Sequence, residues 1–130
     1  MPSKQSAHYG RLAEEAAQRK YAARSDHASW HDIRYRNGKV ADVKSAVHKR
    51  SGRYGRFRLW QEAHEKLLEN GSGYVFAVHA ADSGKVLKMK RMSAREVEQR
   101  LGGITWQHAG HAGKDSKQLK VPWPKLLSTR

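Results

Sequence analysis

Cysteine is absent from the chain, which removes disulfide bonds, thiol catalysis and thiolate zinc sites together. No apolar run approaches the roughly 18 residues of a membrane-spanning helix, and no signal-peptide apolar region is visible. These two absences lead us to expect an intracellular protein, cytoplasmic and nucleoid-associated, with no membrane partner. Acidic residues are scarce, 12 against 26 lysines and arginines. No glycine-rich phosphate loop, nucleophilic serine triad, dinucleotide fingerprint or internal repeat is found. Histidine is plentiful, and His27-x-x-x-His31 and His108-x-x-His111 have ligand-like spacing. Neither pair carries the glutamate of a zinc-protease helix, and both lie in loop-like sequence, so a zinc site is not expected.

What remains is a strongly basic chain. The formal charge is +14 and the pI near 10.4, above the rough threshold of about 9 that marks a nucleic-acid footprint. Polyphosphate is the natural partner for such a charge. A length of 130 residues suits one domain with one modest core. We expect a single domain over residues 1–130, with its core at about 10–101 and a basic, loop-rich tail at about 102–130.

The pattern along the chain predicts an alanine-rich helix over residues 10–21 and a polar loop over 24–29. A strand then leads into Asn37-Gly38, a strong hairpin signal, and a second strand covers 39–46. Residues 47–56 read as a mobile basic loop and 57–69 as a second helix, with Trp60, Ala63, Leu67 and Leu68 as its apolar stripe. Tyr74 to Val78 is a short continuous apolar run, as in a strand covered on both faces. Asp82-Ser83-Gly84 is a turn, and residues 85–91 alternate as an edge strand would. Ser93-Ala94-Arg95-Glu96 has capping-box spacing and opens a helix that reaches Leu101. Residues 102–120 carry weak signals, and Val121-Pro122-Trp123-Pro124 is suited to pin the tail back on the domain. The order of elements implies an α/β fold, a small mixed sheet with helices packed on it.

Within the hairpin, Asp42 and Lys44 project from the same face of one strand, because side chains alternate. Asp32 lies near the start of the partner strand and can come alongside. Two hard oxygen ligands suit a magnesium-type ion, which keeps several waters and binds substrate phosphate. A lysine beside them can orient or deprotonate a water, or stabilise developing phosphate charge. Charged residues on a half-exposed hairpin are ordinary. The second aspartate, the hairpin and the basic loop that follows make this set more than a chance triplet.

The arrangement of Glu14 on an N-terminal helix, then Asp32, then Asp42-Val43-Lys44 on the next strand resembles the PD-(D/E)XK nuclease superfamily. Archaeal Holliday junction resolvases and related small archaeal or viral endonucleases share the further detail of a glycine four residues before the helix glutamate, as Gly10 stands before Glu14. The resemblance spans residues 10–79. It implies a restriction-endonuclease-like core, Mg2+ or Mn2+ as cofactor, cleavage of DNA phosphodiesters to leave a 5′-phosphate, and a homodimer acting on DNA, branched DNA included. It further implies that Asp32, Asp42, the Val43 carbonyl and Glu14 hold metal, and that Lys44 positions the attacking water. Two departures stand out. His31 replaces the motif's proline, and Asp42 takes the more usual glutamate place.

Other residues support the same reading. Glu15 lies between Arg11 and Arg19 at helix-surface spacing and is explained by ion pairs there, whereas Glu14 stands at the edge of the apolar face without such an explanation. Lys49, Arg50, Arg53, Arg56 and Arg58 are expected to contact phosphates, giving affinity without sequence information. Gln61 and His64 share a helix face and are candidates to reach the scissile phosphate, with a packed, satisfied histidine the other reading of His64. A non-catalytic nucleic-acid-binding protein and a general viral or mobile-element nuclease are the alternatives to a structure-selective endonuclease.

Overall fold

The computed structural model describes residues 4–108 and 117–130. Helix α1 (Lys4–Tyr21) leads into strands β1 (Arg24–Ala28), β2 (His31–Arg34) and β3 (Val40–Val47). The two-residue strands β4 (Lys49–Arg50) and β5 (Arg53–Tyr54) follow, then β6 (Arg56–Trp60), α2 (Gln61–Glu69), β7 (Gly73–His79) and β8 (Val86–Ser93). The chain continues through α3 (Ala94–Leu101), β9 (Gln107–His108), β10 (Lys117–Pro122) and a 3₁₀ turn at Trp123–Lys125.

A five-stranded sheet with order β1-β2-β3-β7-β8 organises these elements. All its pairings are antiparallel except β3 with β7. A parallel pair needs a crossover connection, and the segment from β4 through α2 provides it. Every residue of β7 is buried, as its unbroken apolar run predicts for a strand covered on both faces. On one face α1 packs, bringing Ala17 against Ile33, Ala41 and Val75. On the other face Tyr74, Phe76 and Val78 meet Phe57, Leu59, Leu67, Val97, Val121 and Trp123, drawn from β6, α2, α3, β10 and the 3₁₀ turn. The result is a mixed α/β fold with the sheet flanked by helices, consistent with a restriction-endonuclease-like core.

Helix α3 follows its sequence signals closely. Ser93 Oγ accepts a bond from the Glu96 backbone N–H at 3.0 Å, and Gly102 ends the helix in the left-handed region at φ 67°. The hairpin between β2 and β3 turns at Asn37-Gly38, with Gly38 at φ 88°. Trp123 is fully buried and donates its indole N–H to the His48 carbonyl at 2.8 Å, so the tail is pinned as its composition suggests.

Several expectations are corrected. Residues 24–28 are a strand, not a loop; it pairs with β2 despite having no apolar alternation. The basic segment at 47–56 is ordered as the β4–β5 hairpin, turning through Ser51 at φ 53° and Gly52 at φ 76°. Successive positive φ values are what a tight two-residue hairpin turn requires. The second helix begins at Gln61, because residues 56–60 are a strand with Phe57 and Leu59 buried and Arg56 and Arg58 exposed. That alternation has a period of two, and a window centred on Trp60 hides it. Residues 117–122, placed in a weakly structured tail, form β10 and pair with β6 from Gln118↔Trp60 to Pro122↔Arg56. The first helix starts at Lys4, ahead of Gly10.

Candidate active site

The β2–β3 pairing ends at Ile33↔Ala41, and the strands diverge beyond it. Asp32 sits at that fork. Its carboxylate accepts the Val43 backbone N–H at 2.8 Å, closing the gap that the missing ladder bond leaves. A residue's N–H and C=O leave a strand on the same side, so the Val43 carbonyl also faces the fork. Asp42 lies on β3 beside Tyr74 of β7 and is 8% exposed. Lys44, two residues on and on the same face, brings its ammonium to 3.1 Å from Asp42 Oδ2.

Glu14 reaches the same place from α1. It lies close enough to Asp32 for their charges to act on each other, and both of its oxygens are 3.2 Å from His27 Nε2. His27 Nε2 is in turn 4.0 Å from Asp32 Oδ1. One ligand atom from each of Glu14, His27 and Asp32 lies within 4.8 Å of the others. The structure therefore brings together Glu14, Asp32, Asp42 and Lys44. Glu15, the alternative helix carboxylate, is exposed.

Crowding shows in the electrostatics. Burial, helped by the neighbouring Asp32 and opposed by Lys44, pushes the Asp42 carboxyl up to about 7. Burial and the Asp32 charge also raise Glu14, while its bond to His27 pulls the other way. His27 is raised in turn by its hydrogen bond to Glu14. Among the described residues, three carboxylates share one fork with a single lysine, and burial raises two of them, Glu14 and Asp42. A divalent cation is the group that such a donor set accommodates, since it favours ionised oxygen ligands. Among the described residues, Glu14, His27 and Asp32 are the group whose ligand atoms lie close enough together to hold one.

The basic residues surround one end of β3. Lys49, Arg50 and Arg53 are exposed on the β4–β5 hairpin, and Arg56 and Arg58 are exposed on β6. Gln61 is half-buried at the first position of α2. His64 does not reach outward. It is 1% exposed, with Nδ1 bonded to the Tyr74 hydroxyl at 2.7 Å and Nε2 to Glu98 Oε1 at 3.2 Å. Burial lowers its pKa, and with both ring nitrogens engaged it is a packed histidine rather than a phosphate contact. The period of three that pairs it with Gln61 is a core spacing here.

Of the two histidine pairs, only His27 and His31 lie wholly within the described residues. His31, at the place of the motif's proline, turns its Nδ1 to the Asp26 carbonyl at 2.7 Å and stands edge-on to Trp30, away from His27. His108 lies on β9 and His111 falls outside the described residues. Sequence reasoning left His27 out of the site because it lay in a segment read as loop. Its only signal was the pairing of a polar strand, which composition does not carry.

The comparisons with known proteins agree with this geometry. The family model of the PD-(D/E)XK nuclease superfamily domain matches residues 1–128, nearly the whole chain. No curated protein matches the chain significantly. Members of that superfamily are nucleases that generally use divalent metals and act on nucleic acid. With an α/β sheet, an acidic fork and an Asp-x-Lys strand in the expected order, the chain belongs to the PD-(D/E)XK nuclease superfamily.

Proposed function

We propose that this protein is a metal-dependent DNA endonuclease that hydrolyses phosphodiester bonds, selects branched DNA and works as a homodimer. The observation that carries the chemistry is the convergence of Glu14, Asp32, Asp42 and Lys44 at the fork between β2 and β3. The oxygen donors by themselves suit a hard divalent ion, magnesium or manganese. When bound, the ion supplies charge neutralisation at the phosphate and makes water more acidic. The protein does the rest. Asp32 and Asp42 fix where positive charge is tolerated, and the Val43 N–H holds the Asp32 carboxylate in one orientation. Lys44, anchored on Asp42, presents N–H donors that hold the attacking water and stabilise charge on the phosphoryl oxygens.

Binding is spread over a different surface. A groove of about 200 Å3 beside the end of β3 is lined by Ser45, Arg50, Arg56 and His79, among others. Lys49, Arg53 and Arg58 are exposed on the neighbouring strands β4, β5 and β6 and are our further candidates for phosphate contacts. The order of motifs, similar to that of archaeal Holliday junction resolvases, favours branched DNA. A two-fold dimer would then match a four-way junction in symmetry and cut it at paired positions.

A nicking assay tests the reading. Four-way junction, linear duplex, single-stranded DNA and RNA are each incubated with Mg2+ or with chelator. Symmetric paired incisions in the junction, lost with chelator and in Lys44→Ala while binding is retained, are expected. Chelator-insensitive cleavage, or full activity in Lys44→Ala, removes the assignment. Equal cutting of linear duplex removes the junction preference alone.

A further inference from the structure

We propose that His27 is a ligand of the metal centre, and that its ring nitrogen gives this centre a preference for manganese-type transition ions over magnesium. The proposal rests on the metal-dependent reading above and goes beyond it, because the oxygen donors alone suit magnesium and manganese alike.

The strand that carries His27 is built to aim it. β1 pairs with β2 through Ser25↔Ile33 and Ala28↔His31. Two residues of β1, Asp26 and His27, therefore stand opposite Asp32 alone. This is a β-bulge, a device that re-aims a side chain and recurs next to active sites. Here it carries the imidazole to 3.2 Å from both Glu14 oxygens and 4.0 Å from Asp32 Oδ1.

The ring is also oriented from behind. Ser25 Oγ lies 3.1 Å from Nδ1, so one nitrogen is occupied by a neighbour and Nε2 is turned to the carboxylates. A metal-bound histidine has this arrangement, with one nitrogen held by an outer partner and the other on the ion. Packing gives no competing reason for it. The side chain is 56% exposed, on the edge strand of the sheet. Carboxylate, carbonyl and water suit magnesium and manganese alike, and imidazole suits the later transition ions best; of the two, manganese is the larger and softer and accepts an imidazole nitrogen more readily than magnesium does. A set of Glu14, Asp32, Asp42 and His27 is thus a mixed set, and its nitrogen is what separates the two ions.

The test uses the full chain and Mn2+ alone. Titration followed by the free-ion paramagnetic resonance signal gives affinity, and electron spin-echo modulation of the bound ion reports directly coordinated imidazole 14N. We expect that modulation in the wild-type protein and its loss in His27→Gln. Removing even an outer partner of a ligand costs about 10–100-fold in metal affinity, so Mn2+ affinity should fall at least about tenfold, with Mg2+ affinity measured by competition changing less than about twofold. Glutamine keeps an N–H for Glu14, so a histidine that only positions Glu14 would be spared. The exposed side chain contributes little to the core, and circular dichroism checks that the variant folds. Bound Mn2+ without imidazole modulation, or modulation that survives His27→Gln, overturns the role of His27 and leaves the metal centre standing. If no Mn2+ binds in a manner abolished by Asp32→Asn, the metal-dependent reading fails and takes this one with it.

Discussion

Replacing Asp42 with asparagine should destroy activity and at the same time stabilise the metal-free protein at neutral pH. The carboxyl ordinarily titrates at 3.8, and burial beside Asp32 pushes it up to about 7. A raised acid works against folding as pH rises. Below pH 3.8 both folded and unfolded chains hold the proton; between there and about 7 the unfolded chain releases it and the folded chain does not. Each pH unit in that window costs about 1.4 kcal/mol, so the burden reaches about 4 kcal/mol above pH 7. Asp42→Asn removes it. The pull of the Lys44 ammonium, 3.1 Å away, is already contained in that raised value. The expectation is a gain of up to about 4 kcal/mol at pH 8, or roughly 12–20 °C in Tm for a chain of this size. At pH 4 the gain should be near zero. Thermal unfolding of both proteins in chelator, at pH 4 and pH 8, decides the matter. A variant less stable than wild type at pH 8 means the Lys44 pair outweighs burial. A gain of equal size at both pH values means the effect is packing, and the charge argument is refuted.

Three further outcomes follow from the same geometry. Neutralising Lys49, Arg50 and Arg53 together should weaken binding to all DNA sequences alike and reduce the slope of log affinity against log salt by up to about 0.9 for each duplex phosphate no longer engaged; an unchanged slope would mean that the β4–β5 hairpin faces away from DNA. Glu14→Gln should slow cleavage and raise the metal concentration required, while Glu15→Gln, on the exposed face of α1, should cost at most an ion pair of roughly 0.2–0.5 kcal/mol; metal-titrated rates of the two variants separate them. Burial lowers His64, against the opposing pull of Glu98, so stability should decline as pH falls below its ordinary 6.5, by at most about 1.4 kcal/mol per pH unit, and His64→Gln should flatten that part of the stability profile measured by urea unfolding.

The elements that the sequence reveals most clearly are those whose local signals and tertiary surroundings agree. β7 has an unbroken apolar run and is buried throughout; α3 has its serine cap and glycine stop; the β2–β3 hairpin has Asn37-Gly38. β1 and the β4–β5 hairpin are different. They are short, polar and mostly exposed, and hold their shape by pairing with a neighbour, so no periodicity marks them. β6 hides for another reason. Its five residues run directly into α2 at Trp60, and one apolar stripe blurs two periods. The candidate site divides along the same line. Asp32, Asp42 and Lys44 are legible because strand alternation alone puts two of them on one face. Glu14 is legible by its lack of any surface partner. His27 is not, because its position depends on a bulge, and a bulge is a property of two strands together.

The placement of the acidic fork also explains why the surrounding sheet is so heavily covered. Asp42 is a charged side chain at the edge of the large apolar cluster, next to Tyr74 in the strand ladder. Tyr74 is itself bonded to His64, and His64 to Glu98. Beneath the fork, Tyr74, His64 and Glu98 thus form a chain of polar groups in which each buried member has a partner, the condition under which buried polar groups are tolerated. Breaking that chain at Tyr74 would leave the inner His64 nitrogen unsatisfied and loosen the floor on which Asp42 rests. The fold places its least favourable charge where seven consecutive buried residues of β7 hold the backbone rigid. A carboxylate in that position is held in place although ionising it works against folding.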